Sequence, residues 1–275
     1  MEVTKDRLRL LLAGRVIAGT TVRSPACLKT AVPPLETLAG RHIRAVTRQG
    51  KFICIGCEEK LFLCIHLMLS GRFALGPTKA PLNRLHAFAL HLDRDLDLRV
   101  IENTTRHLLG VYLVTDPQQI DLIARLGPDP LAPEFTLARF KSALGRRSRT
   151  LKRLLTDQSA IAGIGNCFSD EILFEARLSP FAISTTLKPE EAIRLHMATK
   201  KVLQDAMLAL RKLDRLPERR DRTFLKVHDR LGQPCPVCGT PVKRVSYQDS
   251  TLYYCATCQT PGRELADRRL SKLLK

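Results

Sequence analysis

The stretch "LLTDQSAIAGIGNCFSDEILFEARLSP" (154–180) decides how this chain is read. Leu154 and Leu155 belong to a short helical run, "TLKRLLTDQ" (150–158). A second, amphipathic run, "NCFSDEILFEARL" (166–178), stops ahead of Pro180. Between them Gly163 and Gly165 allow a tight backbone bend, so the second helix begins at about Asn166. A glycine turn into a helix N-terminus offers backbone N–H groups to a phosphate, and the Asn166 side chain can add a donor. The same residues would also make an ordinary interhelical turn, and on their own they leave both readings open.

Outward from this segment the chain changes character. Downstream, "KPEEAIRLHMATKKVLQDAMLALRKL" (188–213) is the longest helix, with Pro189 and two glutamates in its first turn. Upstream, "TLARFKSALG" (136–145) is a short helix, and "LGPDPLAPEF" (126–135) is proline-rich and reads as a linker. Residues 15–115 read as short strands: "RVIAGTTVR", "HIRAVTRQGKFICIGC", "KLFLCIHLML", "HAFALHL", "LDLRVIE" and "GVYLVT", parted by turn signals. That pattern predicts an antiparallel sandwich or barrel. In front of it "MEVTKDRLRLLLAG" (1–14) reads as a helix, with Val3, Leu8, Leu11 and Leu12 as its apolar positions and Gly14 at its end. The fold class is therefore α+β and multidomain. Expected divisions are a β-domain over 1–125, a helical domain over 126–226, a cysteine module over 227–262 and a basic tail over 263–275.

The cysteine module carries the second strong signal. "CPVC" (Cys235, Cys238) and "CATC" (Cys255, Cys258) stand sixteen residues apart. Two such pairs, each on a turn with a hairpin between, bring four thiolates together tetrahedrally on one structural Zn²⁺ and leave no open coordination position. Gly239 and the aromatic "LYY" (252–254) fit a zinc-ribbon hairpin. Cys54 and Cys57 form another CxxC, but residues three apart on a strand face opposite sides and cannot chelate together.

Lys and Arg number 45 against 27 Asp and Glu, and the excess recurs in "GRRSRTLKR", "RKLDRLPERRDR" and "ADRRLSKLLK". A formal charge of +18 favours a polyanionic partner, nucleic acid above all. No apolar run approaches the ~20 residues that span a bilayer. The first residues lack the apolar block of a signal peptide, so the expected setting is soluble and intracellular. Lys51, in "RQGKFICI" (48–55), enters an apolar strand. It is either a surface lysine at a strand end or, where desolvated, a nucleophilic amine.

Together these pieces resemble the formamidopyrimidine-DNA glycosylase and endonuclease VIII family of base-excision-repair enzymes, over essentially the whole chain. "RQGKFICI" followed by "IHLMLSGRF" (65–73) is similar to the family's lysine strand and its H-L-G-M-S-G segment. "LGPDPL" is similar to the interdomain linker, 154–180 to the helix–two-turn–helix signature, and "VHDRLGQPCPVCGTPV…YYCATCQ" to the terminal zinc finger. The resemblance implies a helix-fronted β-sandwich, a helical domain and a zinc ribbon, with double-stranded damaged DNA held in the cleft between. It implies a monomer in a bacterial cytoplasm, associated with the nucleoid. By match the residues on the phosphate-binding side are Lys51, His66, Arg84 (histidine in the family), Arg147, Lys152 and Asn166, with Arg106 or His107 on an arginine pair. The wedge that fills the space of an extruded base falls on Leu69, Leu108 and Leu109, where the glycosylase branch has Met, Arg and Phe. The zinc ligands are Cys235, Cys238, Cys255 and Cys258.

The resemblance also implies departures. The family begins Met-Pro-Glu-Leu-Pro-Glu-x-Glu, and the proline amine attacks the sugar C1′ while the following glutamate acts as acid and base. Glu2 matches the last glutamate and Met1 the variable position before it, so neither catalytic residue is in this sequence. The Met1 amine would stand about 9 Å from the required place if these residues are helical. Lys51 remains as the one candidate catalytic amine, and excision by the chain as given is expected to be poor. An arginine of the family's zinc hairpin falls on Ser250. Three readings follow: a DNA glycosylase with AP-lyase activity, a damaged-DNA-binding member without chemistry, and, resting only on charge and zinc, a zinc-ribbon protein of RNA or ribosomes.

Overall fold

A computed structural model describes residues 1–104, 108–246 and 251–265. Two compact units emerge. One comprises Met1–Arg125 with Leu210–Asp221, the other Leu126–Ala209 with the chain from Arg222 onward.

In the first unit α1 (Glu2–Leu12) precedes eight strands: β1 (Ile17–Val22), β2 (Ile43–Gln49), β3 (Phe52–Cys57), β4 (Phe62–His66), β5 (Gly71–Gly76), β6 (His86–Leu92), β7 (Leu96–Glu102) and β8 (Gly110–Val114). They form two antiparallel sheets, ordered β1-β6-β7-β5 and β2-β3-β4-β8, which makes the β-region a sandwich. Ile53, Ile55, Leu63 and Ile65 of one sheet share a core with Phe88, Leu90, Leu98 and Val100 of the other. Leu8 and Leu12 of α1 close that core, whereas Leu11, expected on the buried face, is 39% exposed. Glu2 anchors the start of α1 by pairing with Arg48 of β2 and with Lys5. Asp6 pairs with Arg211, and Leu216 packs on the same core, so residues 210–221 belong to this unit. β5 had no sequence expectation, because its six residues are glycine-bounded and only Phe73 is buried. Cys57 faces the core, while Cys54 lies opposite Cys64 on the other face of the sheet, as the three-residue spacing requires.

After α2 (Asp121–Ala124) the second unit holds α3 (Leu137–Gly145), α4 (Leu151–Thr156), α5 (Asn166–Glu175) and α6 (Pro189–Arg211), the last ending in the first unit. Thr136 and Thr150 cap α3 and α4 by accepting from the Arg139 and Arg153 amides. Phe140, Leu154, Ile161, Ile172 and Leu195 knit these helices together. The ribbon follows as β9 (Lys243–Ser246), β10 (Thr251–Tyr254) and α7 (Ala256–Gln259). The proline-rich stretch 126–135 is more than a connector. Gly127 N–H donates to the Gln158 carbonyl, Ala162 N–H to the Pro128 carbonyl, and Phe135 is buried among the helices. A Cβ on Gly127 would lie 2.7 Å from backbone atoms of Ser159 and Ala160, which cannot swing aside. Gly127→Ala should therefore lower stability by about 1–3 kcal/mol in a denaturant melt, and an unchanged midpoint would refute this packing.

Candidate nucleic-acid interface and metal centre

In the first unit the β2–β3 hairpin turns at Gly50, whose φ of 56° suits glycine, and delivers Lys51 beside the end of β4. Phe52 pairs across the ladder with His66, and their rings meet edge-on with centroids 4.7 Å apart. Lys51 is half-buried, and that burial lowers its pKa from the ordinary lysine value. His66 is pushed down to about 4, first by burial and then by the Lys51 charge. The Met68 amide donates to His66 Nδ1 at 3.0 Å, so the proton of the neutral ring is assigned to Nε2. The pair thus offers a depressed-pKa amine and a neutral N–H donor side by side.

Leu69 is 81% and Leu108 37% exposed, the solvent-facing placement that a wedge requires. Leu109 corrects its expectation. It is fully buried in the sandwich core, and its amide and that of Leu108 donate to the Glu102 carboxylate at 3.0 and 2.8 Å. It therefore anchors the segment and cannot act as a wedge. Arg84 is exposed in the turn before β6. Arg106, His107 and Ser250 lie outside the described residues.

In the second unit Asn166 opens α5, but its Nδ2 donates to the Thr251 carbonyl of the ribbon hairpin at 2.6 Å. Arg147 is exposed in the loop between α3 and α4. Lys152 is a second correction. It is buried, and Nζ donates to Asp170 Oδ1 (2.5 Å), Ser169 Oγ (2.7 Å) and the Asn166 carbonyl (2.8 Å). Burial lowers its pKa while the Asp170 carboxylate pulls the other way. An ammonium with three donors and three internal acceptors has none left for a phosphate. The other Asp170 oxygen meets His228 Nδ1 at 2.6 Å, and Glu171 accepts from the Lys226, Val227 and His228 amides. Asp170, Glu171 and His228 were not anticipated. Their signal was two adjacent acids inside the apolar run "CFSDEILF".

Cys235, Cys238, Cys255 and Cys258 place their Sγ atoms within 4.8 Å of one another, a set positioned to bind one metal ion. Four thiolates fit tetrahedral Zn²⁺.

Family models match three segments of the chain. They are the formamidopyrimidine-DNA glycosylase N-terminal domain over residues 1–107, its H2TH domain over 126–212, and the zinc finger found in FPG and IleRS over 232–261. The formamidopyrimidine-DNA glycosylase of Thermus thermophilus is 38% identical over 272 residues, spanning 95% of this chain and 97% of that protein. The crystal structure of MutM (Fpg) from Thermus thermophilus matches with a TM-score of 0.81 at 35% identity, covering 94% of this chain and 96% of that one. Lactococcus lactis Fpg, in a complex with DNA containing an abasic site, shares the fold with a TM-score of 0.84 at 22% identity, covering 94% and 97%. The chain belongs to the formamidopyrimidine-DNA glycosylase family.

Two outcomes follow. Elemental analysis should find one zinc per chain, and Cys235→Ser should lose the metal and the ribbon's fold; a folded native chain without metal would contradict the site. Lys152→Met should cost about 3–5 kcal/mol, because it strands the buried Asp170 charge. Under conditions where the variant is folded, its log K against log [salt] slope for DNA should match the parent. A slope flatter by about 0.9 at unchanged stability would make Lys152 a phosphate ligand after all.

Proposed function

We propose that this chain is of the DNA glycosylase and AP-lyase type that acts on oxidised bases in double-stranded DNA, the sequence as given retaining the lysine for the lyase step but not the family's proline for base excision. The observation that carries this reading is the juxtaposition of Lys51 and His66 on the sandwich of a member of this family. A desolvated amine is nucleophilic nearer neutral pH, and a neutral imidazole can donate to a phosphate without adding charge beside it. Arg84, Arg147 and Asn166 supply the remaining phosphate contacts, and Arg106 or His107 adds to them. Leu69 and Leu108 fill the stack when a base is extruded. Lysine and arginine in such excess make the affinity electrostatic and salt-dependent. Lys152 acts from beneath, through the turn that carries Asn166. The zinc ribbon supports the same turn through the Thr251 carbonyl on Asn166. A ribosomal or RNA role, which rested on charge and zinc alone, explains none of the sandwich features.

The lyase chemistry available to this chain's own groups runs through Lys51. Its Nζ lone pair adds to the C1′ aldehyde of an abasic site, water leaves, and an imine forms. The imine acidifies the C2′ protons, loss of one expels the 3′ phosphate, and hydrolysis returns the amine. Glu2 takes no part, being held by Arg48 and Lys5. In the family, base excision itself belongs to a proline amine.

Borohydride trapping on abasic duplex separates these contributions. The 275-residue chain should give a weak adduct that is abolished by Lys51→Ala. Its yield should rise with pH as the amine deprotonates, with a midpoint below the usual lysine value of ~10.4. A chain extended in front of Met1 by Pro-Glu-Leu-Pro-Glu, behind a removable methionine, should give a strong adduct. A strong adduct from the unextended chain that survives Lys51→Ala would contradict the assignment. No adduct from the extended chain would favour a binding protein without chemistry.

A further inference from the structure

The connection between β5 and β6 is tied down at both ends by buried polar side chains, and Arg84 stands exposed at its far end, in the turn before β6. At the near end Arg99, itself buried on β7, donates through Nη2 to the Pro77 and Ala80 carbonyls, each at 2.7 Å. Asp97, with no exposed surface, holds that guanidinium at 3.1 Å and accepts from Thr78 Oγ1 at 2.9 Å. At the far end a closed turn brackets Arg84. His86 N–H donates to the Asn83 carbonyl (3.1 Å), Leu85 N–H to Asn83 Oδ1 (3.0 Å), and Asn83 N–H to His86 Nδ1 (2.9 Å). His86 is buried, so its imidazole is part of the frame.

We infer that His86 and Asn83 are positioning residues that fix Arg84 for a DNA phosphate, with the Asp97–Arg99 pair holding the rest of the loop. The inference rests on the reading of Arg84 as a phosphate contact. A long arginine on a free loop loses rotamer and backbone freedom on binding, and a pre-closed turn removes part of that cost. The turn works only while Nδ1 is an acceptor. Burial, and the charges of Arg99, Arg23 and Arg72, hold His86 below the ordinary histidine value against the opposing pull of the Asn83 carbonyl, so the ring stays neutral, and the Asn83 N–H aimed at Nδ1 assigns its proton to Nε2. Asn83 Oδ1 fixes the residue after Arg84, and Nδ1 fixes the residue before it. Both contacts act on backbone, so their effect passes to whatever side chain stands at 84.

The test is a mutant cycle read by equilibrium binding of the zinc-loaded full chain to a duplex carrying a tetrahydrofuran abasic analogue, across a salt series. Arg84→Ala should flatten the log K against log [salt] slope by about 0.9, the value of one phosphate contact. His86→Phe keeps bulk and ring but loses the acceptor, and should weaken binding in the same direction. In the Arg84→Ala background it should add less than about twofold, within ordinary additivity error. His86→Asn, whose Oδ1 can replace Nδ1, should restore the parent affinity. If His86→Phe does not fold, Asn83→Ala, at an exposed position, takes its place with the same expectation. Equal losses from His86→Phe in both backgrounds, or no rescue by His86→Asn, would overturn the inference and leave a merely structural histidine. A silent Arg84→Ala would also overturn it. Absence of binding by the parent chain would instead remove the proposed function itself.

Discussion

A lysine ammonium inside the second unit sets the terms for everything around it. Burying a charge is tolerable only where a counter-charge and hydrogen bonds replace water. For Lys152 those partners are Asp170, Ser169 and the Asn166 carbonyl, all at the start of α5. The glycine turn between α4 and α5 therefore cannot drift, because its two flanks are stapled beneath it. Asp170 passes the constraint on to His228, whose ring meets Tyr253 of the ribbon hairpin with centroids 5.1 Å apart. Asn166 closes the circuit by donating to Thr251. The turn, the entry to the ribbon and the hairpin thus form one connected polar structure, with the four cysteines fixing its far end.

Lys152, buried, and Lys51, half-buried, show how surroundings assign different work to one residue type. Burial lowers the pKa of both. For Lys152 a carboxylate opposes that shift, and the side chain is spent on structure. For Lys51 burial alone sets the direction, so the energy withheld from the charged form is available as nucleophilicity. His66 beside it is driven neutral by the same burial and by the lysine's charge. In the proposed reading Lys51 and His66 of the first unit are the reactive groups, while Lys152 of the second unit serves the scaffold beneath Asn166.

Much of this was legible in the sequence because the signals were local. Alternating apolar residues located seven of the eight sandwich strands, paired cysteines located the metal centre, and glycines ahead of Asn166 located the start of α5. The misreadings share a cause of a different kind. A match by position assigned Lys152 to phosphate, but its acceptors lie a turn and a helix away, and no periodicity reveals that a cation is pointing inward. Leu109 looked like its exposed neighbour Leu108, yet the bend that buries it depends on the Glu102 carboxylate accepting both amides. The stretch 126–135 looked like a linker from its prolines. What docks it is a backbone approach at Gly127 that only the absence of a side chain permits.

The most direct measurement compares equilibrium affinity of the zinc-loaded chain for two duplexes of equal length, one undamaged and one containing a single abasic analogue, over a range of salt concentrations. The abasic duplex should bind more tightly at every salt concentration, because a missing base lowers the cost of unstacking, and log K for both should fall linearly with log [salt]. Equal affinity for the two duplexes, or binding that salt does not weaken, would contradict a damaged-DNA glycosylase.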